Sequence, residues 1–368
     1  RERWDCFMVL FGEADTASHH FWMFADPSSP RFDPEGAALF GTALRDVYRR
    51  LDAALGAIVA ELPTDATVLV ASDHGFGGAG TTVLHLNRWL AERGWLTFRA
   101  GRRALPARLA RGVRRAALAL LPRDVQERLV RRAGRGLARR LESWSRFAAI
   151  DMPRTRAFSE ELNYAPSIWL NVRGRDPDGQ IAPGAEYEAA VIQLCAELLA
   201  WRHPVTGAPI VARVHRRGDI YHGLVASEAA DLVLELALED GYSFPCLPTT
   251  PSEPHSVRRL GAREHMAGKG GGMNGSHRPE GLWVLAGKGV TPASGTEAAI
   301  IDVAPSVLHL AGLAVPSWMD GRLLPGITGP AIIAEENPAV PSVVMGQDHE
   351  GELRQRLHAL GYLSEPTA

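Results

Sequence analysis

Two short apolar runs in the first quarter of the chain are followed closely by acidic and imidazole side chains. Residues 6–11 and 67–71 are apolar without alternation, which is typical of strands covered on both faces. Between them, apolar residues recur at three- and four-residue steps over 35–62, which predicts one long amphipathic helix. The order strand, helix, strand predicts a βαβ unit whose two strands are parallel and end at the same sheet edge.

Polar side chains with metal-binding chemistry follow both predicted strands. Asp15 and His19 follow the first, and their four-residue spacing puts them on the same face of a helical turn. Asp73 and His74 follow the second directly, at the edge where ligands of open α/β sheets gather. Imidazole and carboxylate groups suit zinc or manganese. Each motif alone also fits a structural role, with Asp15 as a helix cap and Asp73-His74 as a hydrogen-bonded turn.

The later apolar patterns predict further elements. Residues 164–172 and 282–286 have the composition of strands, and residues 187–199 repeat with the period of a helix. A short helix should follow Asp302, which we expect to cap it in a structural rather than a metal-binding role. A last small helix is predicted over 349–360.

A glycine-rich stretch over 267–275 precedes His277. It lacks the Gly-Lys-Ser/Thr ending of a phosphate-binding P-loop, so we interpret it as a flexible loop that presents His277 to a metal. The other histidines of the second half have irregular spacings. We expect most of the following to be loop or surface residues: His203, His215, His222, His255 and His265.

Composition and charge exclude several classes of function. A net charge of −2 gives no general attraction to nucleic acid or acidic lipid. The three cysteines are scattered without metal-binding or disulfide spacing, and no apolar run is long enough to span a membrane. Because the chain begins with Arg1 rather than Met, we expect its natural N-terminus to lie upstream. We expect a cytoplasmic protein, with a periplasmic or secreted location as the alternative.

Residues 99–146 form a separate block with fifteen arginines and three acidic residues. The leucines and alanines between the arginines predict amphipathic helices. One interpretation is a surface for nucleotide, anionic lipid or nucleic acid. Because aromatic residues for base stacking are nearly absent, we favour a solvated helical insertion and expect no specific nucleic-acid binding.

Several longer motifs occur together and in order along the chain. They are Phe11-x3-Asp15-x3-His19-x2-Trp22, Ser72-Asp73-His74-Gly75-Phe76-Gly77, Leu86-Asn87-x-Trp89-Leu90, Gly275-Ser276-His277-Arg278-Pro279-Glu280-Gly281, Asp302-x2-Pro305-Ser306 and Leu360-Gly361-Tyr362-Leu363. This set resembles the bacterial type I phosphodiesterase/nucleotide pyrophosphatase group of the alkaline phosphatase superfamily, and the resemblance covers essentially the whole chain. It implies an α/β fold, an alkaline-phosphatase-like three-layer αβα sandwich with a mostly parallel central sheet and an inserted cap region.

The resemblance also implies two divalent metal ions, with zinc expected and manganese as the alternative. One ion would be held by Asp15, His19 and His277, and the second by Asp73, His74 and a further early Asp. Two such ions can stabilise both the attacking and the leaving oxygen of a phosphoryl displacement. The nucleophilic Thr or Ser of the group precedes the Asp-x3-His motif. We therefore expect it upstream of residue 1 and interpret the chain as an N-terminally truncated member.

Ser72 and Ser276 adjoin predicted ligands and are candidate substitute nucleophiles. A hydroxyl in such a position can instead hydrogen-bond to the groups that orient the ligands. We favour this supporting role for both serines.

Five segments are expected from these patterns. They are an α/β core over 1–98, the arginine-rich insertion over 99–150, a cap region over 151–265, a return to the core over 266–330 and a tail over 331–368. The expected activity is metal-dependent hydrolysis of a small phosphodiester or nucleotide pyrophosphate. Alternatives in the same superfamily are a phosphomonoesterase, a sulfatase or a phosphonate hydrolase, and the alternative from another class is a non-catalytic binding protein that retains the fold.

Overall fold

The computed structural model describes residues 4–99, 147, 149–161, 166–223, 225–265, 273–293 and 295–334. The predicted helices of the arginine-rich block, the predicted helix at 349–360 and most of the glycine-rich stretch lie outside these residues. The α-helices are α1 (Glu13–Ala25), α2 (Pro34–Phe40), α3 (Ala43–Ala60), α4 (Leu86–Glu92), α5 (Ala185–Leu199), α6 (Arg217–Ile220) and α7 (Val303–Leu310). Short 3-10 helices cover Met152–Arg154, Ala226–Glu228, Ala262–Glu264 and Ile300–Asp302.

The strands are short and form several small sheets. They are β1 (Thr67–Ala71), β2 (Gly75–Gly78), β3 (Thr82–Leu84), β4 (Ala157–Phe158), β5 (Ser167–Leu170), β6 (Val211–Arg216), β7 (Leu232–Leu236), β8 (Leu238–Glu239), β9 (Tyr242–Ser243), β10 (Val257–Arg259), β11 (Gly275–Arg278), β12 (Trp283–Gly287), β13 (Val315–Pro316) and β14 (Ile333–Ala334). One sheet has four strands, in the order β4-β5-β7-β6, and the pairs β1-β12, β3-β10, β2-β11, β13-β14 and β8-β9 form two-stranded sheets.

The chain groups into two compact units. The first unit comprises Arg1–Thr16, Arg45–Phe76 and Arg278–Ala368, and the second comprises Ala17–Leu44 and Gly77–His277. The four-stranded sheet belongs to the second unit, and its neighbouring strands are antiparallel. Strand β5 confirms the predicted strand within 164–172.

The second unit contains a large hydrophobic core. Helix α5 confirms the predicted helix at 187–199 and buries Leu194 and Leu198, which recur at the helical period. The buried rings of Trp89 and Trp201 pack with their centroids 5.2 Å apart. This core forms where α4 and α5 pack against the sheet.

In the first unit, β1 pairs with β12 in antiparallel register, from Thr67 opposite Gly287 to Ala71 opposite Trp283. The predicted strands at 67–71 and 282–286 are thereby confirmed. The prediction that the first of them is covered on both faces is wrong, since four residues of β1 are only partly buried and Ala71 is exposed. A two-stranded ribbon leaves its faces open unless other elements cover them.

The predicted strand at 6–11 is also wrong, and with it the parallel βαβ unit. Residues 6–11 form no strand, and their side chains are exposed, with Phe7 at 56% and Met8 at 90%. An apolar run shows compatibility with a strand, but the strand forms only where a neighbour supplies hydrogen bonds.

The expected mostly parallel central sheet is not found among the described residues, although the α/β class is confirmed. The strands there form small sheets, and the pairs with a defined register are antiparallel except β13-β14. Parallel pairing depends on which distant strands meet, and the apolar pattern of each strand does not specify that.

The predicted helix over 35–62 is divided into α2 and α3. Asp33 caps α2 by accepting a hydrogen bond from the Glu35 N–H, and Pro34 suits the first helical position. Gly41 follows the end of α2, and α3 begins at Ala43. A repeat of three and four residues reports which face is apolar, and it does not detect a local break in the backbone.

Asp302 has the structural role that the sequence predicted, although it does not cap α7 with its side chain. Its carboxylate instead accepts hydrogen bonds from the N–H groups of Ala299 at 2.9 Å and Arg322 at 2.8 Å.

Within the described part of the chain, every helix is too short or too polar to cross a lipid bilayer.

Candidate metal centre

Helix α1 carries two of the predicted ligands, Asp15 in its first turn and His19 one turn later. An acidic residue in the first turn suits the positive end of the helix dipole. The buried residues of this helix are Ala17, Ser18, His19, Met23 and Phe24. His19 is only 4% exposed, so its polar ring nitrogens need partners within the protein.

In the first unit, Asp15, Asp73 and His74 come together. The Nε2 atom of His74 lies 3.8 Å from Asp15 Oδ1 and 3.7 Å from Asp73 Oδ1. These distances are too long for hydrogen bonds, but they suit groups that share a cation. The Nδ1 atom of His74 lies 2.9 Å from the carbonyl oxygen of Gly75. Because a carbonyl only accepts, Nδ1 carries the proton in the neutral ring, and Nε2 keeps its lone pair.

The loop that carries Asp73 and His74 packs closely against residues 278–282. The Ser72 hydroxyl accepts a hydrogen bond from the Leu282 N–H at 2.8 Å, and the role predicted for this serine beside the ligands stays a prediction. Gly75 approaches Glu280 so closely that an added Cβ would lie 1.8 Å from its carbonyl oxygen. A Cβ on Gly281 would lie 2.5 Å from the Ser72 hydroxyl oxygen. Only glycine permits such close approach of backbone segments.

In the second unit, His19 and His277 face each other with their Nε2 atoms 3.1 Å apart. The Nδ1 atom of His19 lies 2.9 Å from the carbonyl oxygen of Gly275. Neutral His19 therefore carries its proton on Nδ1 and offers the lone pair of Nε2. Two imidazole nitrogens bound at about 2.0 to 2.1 Å to one tetrahedral zinc ion would be about 3.3 Å apart. The observed pair therefore fits two ligands of one ion.

His277 lies in strand β11, and most of the glycine-rich stretch that was predicted to present it lies outside the described residues. The backbone before this strand is held by Arg31, which is 2% exposed. Its guanidinium group donates to the carbonyl oxygens of Gly80 at 2.9 Å and Met273 at 2.7 Å. Burial lowers the pKa of Arg31 to about 10, which leaves the group charged at neutral pH.

The structure thus brings the predicted ligands together in two groups, one in each unit. Asp15, Asp73 and His74 form the first group, and His19 and His277 form the second. The complete ligand sets and their division between two ions stay predictions, as does the identity of the nucleophile.

Of the five histidines that the sequence analysis placed mostly in loops or at the surface, His203 is buried. The Nδ1 atom of His203 accepts hydrogen bonds from the N–H groups of Val205 at 3.2 Å and Thr206 at 3.1 Å. An Nδ1 that accepts leaves the proton of the neutral ring on Nε2. This Nε2 faces the Glu239 carboxylate at 3.4 Å, so His203 has a structural role.

Two buried carboxylates of the second unit were not predicted from the sequence. The first is Asp231, whose side chain is completely buried and pairs with Arg175 at 2.8 Å and Arg217 at 2.9 Å. It also accepts hydrogen bonds from the Tyr187 hydroxyl at 2.9 Å and the Leu170 N–H at 2.7 Å. The hydrogen bonds to Asp231 raise the pKa of Arg175 further. No local motif marks this group, because its members come from distant parts of the sequence.

The second is Glu161, which is 8% exposed and has a backbone φ of 53°. Its carboxylate accepts hydrogen bonds from the N–H groups of Asn87 at 2.9 Å and Thr249 at 2.5 Å. Burial nevertheless raises the pKa of Glu161 above its ordinary value. The Thr249 hydroxyl also donates to this carboxylate, and because these partners come from distant parts of the chain, no local pattern in the sequence could have indicated them.

Comparison with known proteins gives one family. A family model described as type I phosphodiesterase / nucleotide pyrophosphatase matches residues 1–245. The matched part contains Asp15, His19, Asp73 and His74, whereas His277 lies beyond it. No curated protein and no solved structure gives a significant match.

Proposed function

The chain belongs to the type I phosphodiesterase / nucleotide pyrophosphatase family, and we propose that it hydrolyses phosphodiester or nucleotide pyrophosphate bonds of small substrates with divalent metal ions. The observation that carries this proposal is the pair His19 and His277, whose Nε2 atoms are 3.1 Å apart. The other ring nitrogen of His19 is bonded to the Gly275 carbonyl. Imidazoles that bind metals are commonly oriented in this way.

We assign one ion to His19 and His277 and a second to Asp73 and His74, whereas Asp15, which lies beside His74 in the first unit, stays a predicted ligand. Zinc is the expected metal and manganese the alternative, because imidazole and carboxylate donors suit both. When bound, such ions polarise the phosphoryl group and stabilise charge on its entering and leaving oxygens.

The residues of the chain contribute orientation to this chemistry. In neutral His19 and His74, the hydrogen bonds to the Gly275 and Gly75 carbonyl groups place the ring proton on Nδ1, so that Nε2 is the nitrogen that would bind a metal. The Ser72 hydroxyl is engaged with the Leu282 backbone, which supports the loop that carries Asp73 and His74. Ser72 is therefore not proposed as the nucleophile.

The proposal is tested by assaying the purified protein in its full natural length with zinc or manganese and after chelation. The substrates are bis-p-nitrophenyl phosphate, p-nitrophenyl phosphate, p-nitrophenyl sulfate and p-nitrophenyl phenylphosphonate. We expect the diester to be hydrolysed fastest and the activity to be lost with the metal. His277→Ala should lower kcat/KM much more than Ser276→Ala, because a residue that only orients ligands typically contributes about 10- to 100-fold.

Each other outcome points to a different function. Faster hydrolysis of the monoester, the sulfate or the phosphonate would assign the chain to that branch of the superfamily. Metal binding without turnover of any of the four substrates would favour a non-catalytic binding protein. Equal losses in the two variants would contradict the role assigned to His277.

A further inference from the structure

Arg31 connects two backbone segments next to the imidazole pair of the second unit. Its Nε and Nη2 atoms both donate to the Gly80 carbonyl, with Nε at 2.9 Å, and its Nη1 atom donates to the Met273 carbonyl at 2.7 Å. The guanidinium group is planar and its donors are fixed relative to one another. The two carbonyl groups are therefore held in one defined arrangement.

Asn274 joins the same backbone to α1. Its N–H donates to the His19 carbonyl at 2.9 Å, and its side-chain Nδ2 donates to the His20 carbonyl at 3.3 Å. Its own carbonyl accepts a hydrogen bond from the Ala79 N–H at 2.9 Å. Strand β11 begins at the next residue, so the position of Asn274 determines where His277 stands relative to His19.

We propose that Arg31 and Asn274 are positioning residues for the His19 and His277 imidazoles, an inference that rests on the proposed function. The Gly275 carbonyl that orients His19 directly follows Asn274, so it moves with the same backbone. Replacing the Arg31 guanidinium group would leave the Gly80 and Met273 carbonyls with fewer hydrogen-bond donors and let β11 shift relative to α1. The two Nε2 atoms would then no longer be held 3.1 Å apart.

The inference is tested on the full chain, freed of metal and titrated with Co²⁺ as a spectroscopic substitute for zinc. Arg31→Lys should weaken Co²⁺ binding by about 10- to 100-fold, the range typical for residues that orient ligands. Asn274→Ala should weaken it less, because alanine keeps both backbone hydrogen bonds of this residue and removes its side-chain bond to the His20 carbonyl. Both should also change the visible absorption of the bound Co²⁺, because that spectrum reports the coordination geometry. Lys is an informative replacement since it keeps the charge but not the planar fork.

Arg175→Lys is the matched control, because Arg175 is a partly buried arginine of the same unit that pairs with Asp231 instead. It should lower stability and leave the Co²⁺ affinity and spectrum unchanged. If Arg31→Lys folds and binds Co²⁺ as the wild type does, the positioning role is refuted while the proposed function stands. If Arg31→Lys does not fold, Asn274→Ala takes its place, and wild-type Co²⁺ affinity and absorption in that variant would refute the positioning role. If the wild type itself binds no Co²⁺, the proposed function falls together with the inference.

Discussion

At the scale of single residues, two histidines of the candidate site are oriented by the same kind of hydrogen bond. In both His19 and His74, Nδ1 lies 2.9 Å from a backbone carbonyl oxygen, so Nε2 keeps its lone pair. The sequence could predict these histidines as ligands from their spacing to acidic residues. It could not predict their tautomers, because the carbonyl beside His19 belongs to Gly275, far along the chain.

The close approach of Gly75 to Glu280 leads to a prediction about the first group of ligands. In Gly75→Ala, the new methyl group would start 1.8 Å from the Glu280 carbonyl oxygen, so the loop that carries Asp73 and His74 must move. We expect this variant to be destabilised by about 1 to 3 kcal/mol, as overpacked sites are, and to bind Zn²⁺ more weakly. Urea unfolding and zinc titration measure the two effects.

Gly56→Ala provides the control for that variant. Gly56 lies within α3, and a Cβ there would meet nothing within 4 Å. Alanine should therefore stabilise the helix by about 0.5 to 1 kcal/mol and leave zinc binding unchanged. Wild-type zinc affinity in Gly75→Ala would contradict the role given to this loop.

At the scale of elements, the start of α4 shows how a distant residue completes a helix. The residue before this helix, His85, makes no capping hydrogen bond with its side chain. Glu161 accepts a hydrogen bond from the Asn87 N–H, near the beginning of α4. A negative charge near a helix N-terminus is favourable, but burial of the carboxylate opposes ionisation.

The opposing effects of burial and of the helix N-terminus on the ionisation of Glu161 predict a pH dependence of stability. Burial raises the pKa of Glu161 above its ordinary value of 4.5, so the folded state holds the proton more tightly than the unfolded chain. The stability that this group contributes is complete below pH 4.5 and is lost as the pH rises through the raised pKa. Relative to Glu161→Gln, the wild type should therefore lose free energy of unfolding as the pH increases over that window.

Urea unfolding at a series of pH values from about 4 upward measures this difference. Glu297→Gln, at an exposed position outside any helix or strand, should follow the wild-type curve. Parallel curves for the wild type and Glu161→Gln would show that burial does not control the ionisation of Glu161. A wild-type curve that rises relative to the variant would show that the N–H donors dominate instead.

The elements also separate what the sequence could predict from what it could not. Helix α5 and strand β1 were predictable because their apolar patterns are local. The pairing of β1 with β12 and the lack of a strand at 6–11 were not, since both depend on which distant segment supplies hydrogen bonds. The buried Asp231 was missed for the same reason, because its partners lie on separate elements.

At the scale of the whole molecule, the family match spans residues 1–245 and so includes the arginine-rich block, whose helices stay a prediction. Its domain boundaries at residues 99 and 150 are also predictions from the sequence. The block contains fifteen arginines and three acidic residues over 99–146, in a chain with a net charge of −2. Long charged side chains can cover apolar surface while their charged ends stay in water.

We expect this block to bind polyanions only weakly and without specificity. Titration with RNA, DNA and anionic vesicles should give affinities that fall steeply between low and physiological ionic strength, because binding releases counterions. At the higher ionic strength the screening length is only about 8 Å. Tight binding that persists there and disappears when several of the arginines become glutamine would instead identify a docking surface.

The central claim is that His19 and His277 bind one metal ion, and anomalous X-ray diffraction at the zinc absorption edge tests it most directly. Crystals of the chain soaked or grown with zinc should show an anomalous peak about 2.0 to 2.1 Å from the Nε2 atoms of both residues. The structure already holds these two atoms 3.1 Å apart. An anomalous map at saturating zinc with no peak between the two imidazoles would contradict the claim, and with it the proposed metal-dependent hydrolysis.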